Sequence, residues 1–324
     1  MSDAPIFVVG CGRSGTSLLR RFLNQQSHVG IPLESLFIID YLRASSRIGV
    51  DRMAGMLVHE PELREWGVHP THTDLQGCTT VAEAIDRLHH LYLAPRGKVR
   101  WGQKTPRFVR NLPLLNHHFP GSRFVHLVRD PRAVSASLIR SNVHRSTAFY
   151  AAARWRMDVE LGLAFEKAAP GAVLCLTYED LVTHPETVLR RVCEFCQLDF
   201  EPAMLASPKQ RAAEYSDFYS RIHADVDRPP TTGSIDRWEA DLTEQQVAVI
   251  EFVAGETMDQ LGYARAAQGG VRLPTRWRRR ADRVGGMALQ TYRYLRFRPR
   301  YLTYLLYRKA RLGLLKDFLW SVNY

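Results

Sequence analysis

The sequence contains little cysteine and no long apolar run. Five cysteines in 324 residues are too few for a disulfide framework, and the pair Cys193 and Cys196 lacks the second pair of Cys or His residues that would complete a zinc site. We therefore interpret this pair as one face of a helix. No uncharged apolar stretch is long enough to cross a bilayer. These absences argue against a disulfide-rich secreted domain and against a membrane-spanning helix, and they predict an intracellular, reduced protein.

A secretory signal and internal repeats are also missing from the sequence pattern. The first apolar run, Ile6–Val9, is short, and arginines follow it at positions 13, 20 and 21. We therefore expect a cytoplasmic location. The chain is long enough for one large α/β core with a small appendage.

Positive charge is concentrated at one end of the chain. Residues 276–324 contain thirteen Arg or Lys residues and two Asp, which accounts for the whole net charge of +11. Residues 1–275 contain 31 residues of each sign. Such a concentration predicts an acidic partner, either a membrane surface or another polyanion.

A strand, a tight loop and a helix follow one another near the start of the chain. Ile6–Val9 is apolar and β-prone, Gly10–Gly15 is a glycine-containing turn, and apolar positions at 18, 19, 22 and 23 have helical spacing. In such a turn the backbone N–H groups converge on an anion, and the positive end of the helix dipole adds to the attraction. The motif therefore predicts a phosphate site.

The loop differs from the P-loop of nucleoside triphosphate enzymes at one position. Gly10 and Gly15 have the P-loop spacing, but Thr16 stands where that loop has its phosphate-binding Lys, and Arg13 supplies a cation earlier. We interpret this as a site for a 5′-phosphate that carries a different transferable group. The alternative, a P-loop kinase or NTPase, would need that Lys and a Mg²⁺-binding Asp, for which Asp130 is a poor substitute.

Repeated strand and helix patterns predict the fold class. Apolar β-prone runs at 124–128 and 172–176 are each followed by helical patterns. We predict an α/β fold in which a P-loop-type central parallel sheet is flanked by helices. This domain is expected to cover residues 1–265, and a basic helical C-terminal extension is expected over residues 266–324.

A loop is predicted at residues 100–107. Pro106 ends regular structure there, so Lys104 and Thr105 are expected to lie on the loop. In a parallel sheet, ligands bind at the carboxyl ends of the strands. We therefore expect the loops that follow Val9, Val128 and Leu176 to lie at one edge of the sheet.

Three segments resemble the sulfotransferases that use 3′-phosphoadenosine 5′-phosphosulfate (PAPS). Residues 8–19, VVGCGRSGTSLL, are similar to the 5′-phosphosulfate loop of the family, in the form seen in tyrosylprotein and many bacterial members. Residues 124–141, FVHLVRDPRAVSASLIRS, are similar to its 3′-phosphate motif. Residues 176–200, LTYEDLVTHPETVLRRVCEFCQLDF, are similar to its Tyr-Glu-x-Leu-x-x-x-Pro strand and helix. The three motifs occur in the order of the family, and the resemblance covers roughly residues 5–262.

The resemblance implies a P-loop-type fold, PAPS as the co-substrate and no metal ion. It assigns the 3′-phosphate to Arg129 and Ser137, whose spacing of eight residues matches the family. An arginine fork and a hydroxyl suit such a phosphate. The residues expected to bind the cofactor are Gly12, Arg13, Ser14, Gly15, Thr16, Ser17, Arg129, Ser137, Tyr178 and Ser234.

Catalysis is expected to depend on Glu34, Arg13 and Lys104. Glu34 follows Arg13 by twenty-one residues, the separation found in tyrosylprotein-type enzymes, and by that resemblance it is the base for the acceptor hydroxyl. Arg13 and Lys104 would stabilise charge on the sulfuryl and bridging oxygens. The alternative base is His69 or His72, and the alternative role for Glu34 is an exposed helix cap.

The basic extension contains two helical candidates separated by Pro299, with Gly285–Gly286 interpreted as a hinge. The second candidate, residues 301–320, combines leucines and aromatic residues with Arg and Lys. Such a helix can lie in the interface of an anionic membrane, which would place the protein at the inner membrane face. Alternatively, it packs on its own core or on a second copy in a homodimer. Nucleic acid is a weaker candidate, since no known binding motif accompanies the charge.

These features together predict a sulfotransferase. It would move a sulfuryl group from PAPS to a hydroxyl of a carbohydrate, lipid or peptide acceptor by in-line transfer with a Glu base. Two alternatives stay open: a P-loop kinase or NTPase, and a non-catalytic nucleotide-binding protein associated with a membrane.

Overall fold

A parallel sheet lies at the centre of the fold. The structure is a computed structural model that describes residues 4–141, 146–206, 232–267, 270–297 and 299–317. In these ranges the strands are β1 (Ile6–Gly10), β2 (Val29–Gly30), β3 (Arg100–Lys104), β4 (Arg123–Val128) and β5 (Val173–Thr177). They lie in the order β2-β3-β1-β4-β5, and each pair of neighbours is parallel. The predicted α/β fold with a central parallel sheet is confirmed.

Helices connect the strands and extend beyond the sheet. In chain order they are α1 (Thr16–Asn24), α2 (Phe37–Ala44), α3 (Val50–Leu57), α4 (Pro61–Glu65), α5 (Val81–Leu93), α6 (Leu112–His118), α7 (Pro131–Arg140), α8 (Ala148–Ala168), α9 (Tyr178–Thr183), α10 (Pro185–Cys196), α11 (Trp238–Asp241), α12 (Glu244–Gln260), α13 (Arg276–Phe297) and α14 (Pro299–Arg311). None of the helices in the described ranges combines the length and the hydropathy that a membrane span requires.

The chain divides into two compact units. The first consists of the described residues within 1–128 and 161–232, and it contains all five strands. The second consists of those within 129–160 and 233–324, and it contains α7, most of α8 and helices α11–α14. The division at residue 265 that the sequence predicts stays a prediction.

The core of the first unit forms on both faces of β1. Ile6 and Val8 point to one face, where they pack with Leu19 and Leu23 of the amphipathic helix α1. Phe7 points to the other face and stacks on Phe124 of β4, with ring centroids 5.3 Å apart. This alternation is the period-two pattern of a strand that is covered on both faces. It holds the loop after β1 on a rigid support.

The two neighbouring cysteines lie inside the first unit. Cys193 and Cys196 are both buried on one face of α10, as their spacing predicts. The Cys193 thiol lies 3.7 Å from the Met204 sulfur. Burial raises the pKa of Cys193 to about 11 and that of Cys196 to about 12. All five cysteines are free, and this pair acts as an apolar filling of the core.

A buried ion network organises the second unit. The Asp130 carboxylate caps α7 by accepting the main-chain N–H of Arg132 at 2.7 Å, and it also accepts from the Arg132 guanidinium. Arg132 reaches Glu251 of α12 at 3.0 Å. Glu251 in turn accepts the N–H groups of Ala266 and Ala267, each at 2.9 Å. The network therefore joins the start of α7 to α12 and to the segment that follows it.

Two local predictions are wrong. Residues 100–104 form strand β3, so Lys104 is the last residue of a strand and not part of a loop. The backbone of α13 runs without a break through Gly285–Gly286, so these glycines do not form a hinge. The second C-terminal helix ends at Arg311, and residues 318–320 of the predicted helix lie outside the described residues.

Candidate active site

The loop between β1 and α1 has the geometry of an anion site. Arg13 and Gly15 both have a left-handed backbone, with φ of 77° and 89°, and the Ser14 N–H donates to the Cys11 carbonyl at 3.2 Å. Gly15 is the N-cap of α1, which begins at Thr16. The first N–H groups of a helix have no carbonyl four residues earlier to bind. They are therefore available to an anion, and the helix dipole favours a negative charge there.

Tyr178 packs directly against this loop. A Cβ atom added to Gly15 would collide with the Tyr178 ring, at 2.8 Å from its Cε2 atom. Tyr178 is buried and follows the last residue of β5, so the strand end brings the ring to the loop. Gly15 is needed here for two reasons, its left-handed φ and the close approach of the ring. The structure thus brings together two residues that the resemblance assigns to the cofactor.

Ser14 offers a hydroxyl that the described part of the chain does not use. Its side chain is fully buried, and within the described part of the chain its Oγ has no hydrogen-bond partner. A buried hydroxyl without a partner is costly unless a ligand or water satisfies it. A phosphate or sulfate oxygen in the loop would supply an acceptor. The loop therefore fits an anionic group by its backbone and by this side chain.

Glu34, Lys104 and Ser17 meet beside the start of α1. The Lys104 ammonium forms an ion pair with Glu34 Oε1 and donates to Ser17 Oγ at 3.1 Å. The Lys104 side chain is 3% exposed, whereas that of Glu34 is 28% exposed. Lys104 is therefore held inside the protein, and the carboxylate that pairs with it faces solvent in part. The alternative role for Glu34, an exposed helix cap, does not account for its ion pair with the buried Lys104.

The pKa of Lys104 reflects several opposing effects. Burial lowers it, because an ammonium loses hydration inside the protein. The charge and hydrogen bond of Glu34 oppose that effect, while the positive charges of Arg20 and Arg13 add to the lowering. The net direction is downward. Arg13 and Arg20 therefore lie close enough to Lys104 for their charges to act on the ammonium that pairs with Glu34.

Arg20 positions the segment that leads to Glu34. It lies on α1 and is buried, and its Nε donates to the carbonyls of Ile31 and Pro32 at 2.8 and 2.9 Å. Sequence reasoning missed Arg20. Its position in the sequence could have indicated this role, because Arg20 follows Leu19 on a helix whose apolar residues face the core. A charged residue at the edge of an apolar face commonly has a partner of this kind.

Gln103 holds the same segment from β3. Its side-chain Nε2 donates to the Leu33 carbonyl at 3.0 Å. The next residue but one, Thr105, accepts the main-chain N–H of Ser35 through its Oγ1 at 3.1 Å. The backbone on both sides of Glu34 is therefore fixed by β3 and its end. Sequence reasoning missed Gln103 because the stretch was interpreted as a loop.

A buried histidine supports Gln103 from behind. His89 Nε2 lies 3.1 Å from Gln103 Oε1, and His89 Nδ1 lies 2.8 Å from the Ile85 carbonyl oxygen. The imidazole stacks on Trp101 with centroids 3.9 Å apart. Burial lowers the pKa of His89 to about 4, so the ring is neutral near pH 7. His89 is therefore part of the scaffold behind Glu34.

The two histidines considered as alternative bases lie on the surface. His69 and His72 are exposed, and the His72 ring meets the His59 ring edge-on at 6.0 Å. Glu34, in contrast, pairs with Lys104, whose ammonium also donates to Ser17 Oγ. Of the three candidate bases, Glu34 is the residue that the structure places in an ion pair with Lys104.

Two further residues assigned by the resemblance meet in the second unit. An Nη atom of Arg129 donates to the Ser234 main-chain oxygen at 2.7 Å, and the Arg129 carbonyl accepts from the Trp155 indole at 2.8 Å. Ser234 therefore contacts Arg129 through its backbone. Ser137 lies on α7 and is partly exposed. Arg129 is thus fixed at both its main chain and its side chain.

No cluster of three or more His, Cys, Asp or Glu residues with suitable placement occurs among the described residues. Asp130, the Mg²⁺ ligand that a kinase would need, directs its carboxylate to Arg132.

Comparison with known proteins gives consistent matches. Residues 5–202 match the sequence profile described as "Sulfotransferase family". The chain is 24% identical over 274 residues to Protein-tyrosine sulfotransferase A of Caenorhabditis elegans, covering 80% of this chain and 67% of the relative. It is 25% identical over 321 residues to Omega-hydroxy-beta-dihydromenaquinone-9 sulfotransferase Stf3 of Mycobacterium tuberculosis, covering 82% of this chain and 76% of the relative.

A solved structure shares the fold. The "Sulfotransferase Domain from the Curacin Biosynthetic Pathway" superposes with a TM-score of 0.59 at 20% sequence identity. The match covers 81% of this chain and 99% of that domain. At this identity the likeness concerns the fold alone.

Proposed function

The chain belongs to the sulfotransferase family and is an enzyme of sulfuryl transfer, and from that premise we propose that its donor is PAPS and its catalytic base is Glu34. The observation that carries this proposal is the contact of Glu34, Lys104 and Ser17 beside the N-terminus of α1. There a carboxylate, a buried ammonium and an anion loop lie together. Sulfuryl transfer needs all three, because a proton must leave the acceptor while negative charge develops on the donor phosphate.

The loop residues support a donor that presents a phosphosulfate. The N–H groups at the start of α1 and the Ser14 hydroxyl are placed to bind its oxygens. Tyr178 closes against Gly15 and limits the space above the loop. By the resemblance, the 3′-phosphate is assigned to Arg129 and Ser137. When bound, PAPS supplies a sulfuryl group on a good leaving group, a phosphate.

The chain's own residues then perform the acid–base and electrostatic work. The Glu34 carboxylate accepts the proton of the acceptor hydroxyl as the acceptor oxygen bonds to sulfur and the bond from sulfur to the bridging phosphate oxygen breaks. Lys104 and Arg13 stabilise the negative charge that remains on that oxygen. Arg20 and Gln103 hold the backbone of Glu34 in place and are positioning residues. No metal ion takes part in this proposal.

The acceptor is proposed to be a hydroxyl group. Two relatives are named for a protein tyrosine and for an omega-hydroxy menaquinone, which are both hydroxyl acceptors of different size and polarity. Peptide, lipid and carbohydrate hydroxyls are therefore the three classes to be tested on this chain. A kinase would need Mg²⁺ and a Lys after Gly15; Thr16 occupies that position, and the family membership favours sulfuryl transfer.

Calorimetric titration with adenosine 3′,5′-bisphosphate tests the donor. We expect binding without metal, and tighter binding than that of ATP with Mg²⁺. Arg129→Ala should abolish binding of the bisphosphate. Arg190→Ala is the matched control, because Arg190 is exposed on α10, where it pairs with Glu186 and lies over the Phe200 ring. Preference for ATP with Mg²⁺ would overturn the proposed donor.

Turnover is measured with radiolabelled PAPS and one acceptor from each class. A tyrosine-containing peptide, a long-chain isoprenoid alcohol and an oligosaccharide serve as the three probes. Label transfer that disappears in Glu34→Gln, while the bisphosphate still binds, supports both the donor and the base. Transfer by Glu34→Gln at the normal rate would overturn Glu34 as the base and leave the donor intact.

A further inference from the structure

Helix α13 exposes an apolar stripe to solvent. Four large apolar side chains of this helix are exposed: Trp277 by 78%, Val284 by 65%, Tyr292 by 59% and Leu295 by 57%. Side chains of this size are usually buried, and four on one helix form a continuous feature. The stripe is the largest concentration of exposed apolar side chains among the described residues of the two C-terminal helices.

The four residues share one side of the helix. They are separated by seven, eight and three positions, and at about 100° per residue they fall within an arc of about 80°. Trp277 and Leu295 are eighteen positions apart, so the stripe extends for about 27 Å along the axis at a rise of about 1.5 Å per residue. An arc of this width is the apolar face of an amphipathic helix.

The opposite side of α13 is held by the second unit. Arg279 lies about 160° around the helix from Trp277. Its guanidinium sits over the Phe149 ring at 4.8 Å, and its carbonyl accepts the Tyr150 hydroxyl at 2.7 Å. Phe149 and Tyr150 belong to α8. The helix is therefore fixed with its polar side inward at this point, which leaves the apolar stripe outward.

Arginines flank the stripe. Arg276 and Arg280 lie on one side of it and Arg278 and Arg296 on the other, and all four are exposed. The Arg280 guanidinium lies 5.6 Å from the Trp277 ring centroid. The whole helix has seven arginines and one acidic residue, Asp282. An apolar face with Trp, Tyr and Leu between rows of arginine is the composition of helices that lie in a lipid interface.

The neighbouring helix α14 is covered to a larger extent, although Leu306 and Tyr307 are 40% and 48% exposed. Leu302 and Leu305 are buried, and so are Arg308 and Lys309. Its apolar face is used inside the protein, in agreement with the core-packing alternative for this segment. Both helices combine basic and apolar residues in the sequence, but the structure buries the apolar residues of α14 to a larger extent than those of α13.

We propose that α13 binds in the plane of an anionic lipid bilayer, with Trp277, Val284, Tyr292 and Leu295 among the acyl chains and the flanking arginines at the headgroups. A lipid surface matches both features of the helix, because it offers apolar contact and negative charge together. A nucleic acid would match the arginines only and would leave the stripe in water. This inference is independent of the proposed donor and base.

Vesicle co-sedimentation of the full chain tests the proposal. Vesicles of phosphatidylcholine with about a third phosphatidylglycerol are compared with pure phosphatidylcholine. The stripe variant carries Trp277→Ser, Val284→Ser, Tyr292→Ser and Leu295→Ser. The control variant carries Phe252→Ser and Val99→Ser, which are equally exposed apolar residues outside α13. We expect the wild type and the control to bind anionic vesicles. The stripe variant should bind them at least about tenfold more weakly.

Two further measurements make the result decisive. Binding of adenosine 3′,5′-bisphosphate and circular dichroism show whether each variant is folded. Equal sedimentation of the stripe variant and the wild type would overturn the proposal. So would absence of vesicle binding together with tight binding of a duplex oligonucleotide, or with a dimer in light scattering that the stripe variant dissociates. A fall of binding in high salt, with the stripe variant weaker at every salt concentration, would support it.

Discussion

The positive charge of this chain is held in two different ways in two regions. Beside the loop after β1, Lys104 and Arg20 are buried, and each has a defined partner, the Glu34 carboxylate or backbone carbonyls. Along α13, Arg276, Arg278, Arg280 and Arg296 are exposed beside an apolar stripe. A buried cation with a defined partner has one geometry, so it can act on a single bond. Exposed cations act together through a field that salt weakens.

The same contrast between burial and exposure can be tested with matched residues of one type. The largest effect is expected at the carboxylates. Glu34→Gln should lower kcat by about 10² to 10⁴-fold, because a general base contributes a factor of that size. Glu186→Gln, an exposed carboxylate on α10, should leave kcat unchanged. Steady-state rates with radiolabelled PAPS measure both variants, and thermal unfolding shows that each is folded.

The leucines of the two C-terminal helices give the next largest difference. Leu305 of α14 is 4% exposed, whereas Leu295 of α13 is 57% exposed. Leu305→Ala should lower the free energy of unfolding of the second unit by about 2 to 5 kcal/mol, because it leaves a cavity. Leu295→Ala should change it by no more than about 0.5 kcal/mol. Urea unfolding measures both, and equal losses would show that α13 packs its stripe inside the protein.

The histidines provide a pH test. His89 is neutral in the folded protein down to a pKa of about 4, against 6.5 for an ordinary histidine. Between these values the unfolded chain binds more protons, so the free energy of unfolding falls as the pH falls. The loss is about 3 kcal/mol, since one pKa unit corresponds to about 1.4 kcal/mol.

Replacement of each histidine isolates this contribution. His89→Gln should flatten the decline in stability between pH 6.5 and 4, and the exposed His69→Gln should leave it unchanged. Chemical unfolding at several pH values gives the slopes. An unaltered slope in His89→Gln would show that another group titrates.

The glycines are expected to show the smallest of these effects on stability. Gly15→Ala places a side chain at φ 89° and against the Tyr178 ring, and it should cost about 1 to 3 kcal/mol and weaken binding of the bisphosphate. Gly49→Ala should have little effect, since Gly49 has φ of −61° and nothing lies near its missing Cβ. Adding Tyr178→Ala to Gly15→Ala should relieve the contact but not the backbone strain. If Gly15→Ala binds normally, the loop is not the phosphate site.

Much of the fold follows from short-range patterns. The strands near 6–9, 124–128 and 172–176 all occur at or within a residue or two of their predicted bounds. Each is an apolar run or periodic pattern between clear end signals. Strand β3 escaped prediction because three of the five residues in RWGQK are charged or polar, yet all five are buried. Partners from distant segments, such as Glu34 for Lys104, make that burial tolerable.

The candidate site was predicted in part. The glycine spacing and the motif order pointed to the loop, Glu34, Lys104 and Tyr178, and the structure brings these into contact. Arg20 and Gln103 were missed, because their roles are hydrogen bonds to main-chain carbonyls more than ten residues away. No local pattern encodes such a partner.

By itself the sequence determined the α/β class, the anion loop and the family resemblance, because these depend on residues that are close in the chain: glycines in a turn, apolar residues at fixed spacing, and motif order. Only the tertiary structure decided that Lys104 is buried against Glu34, that Tyr178 closes on Gly15, and that α14 is covered while α13 exposes its stripe. Periodicity shows that a helix has an apolar face. Whether that face has a neighbour depends on the packing of the whole unit.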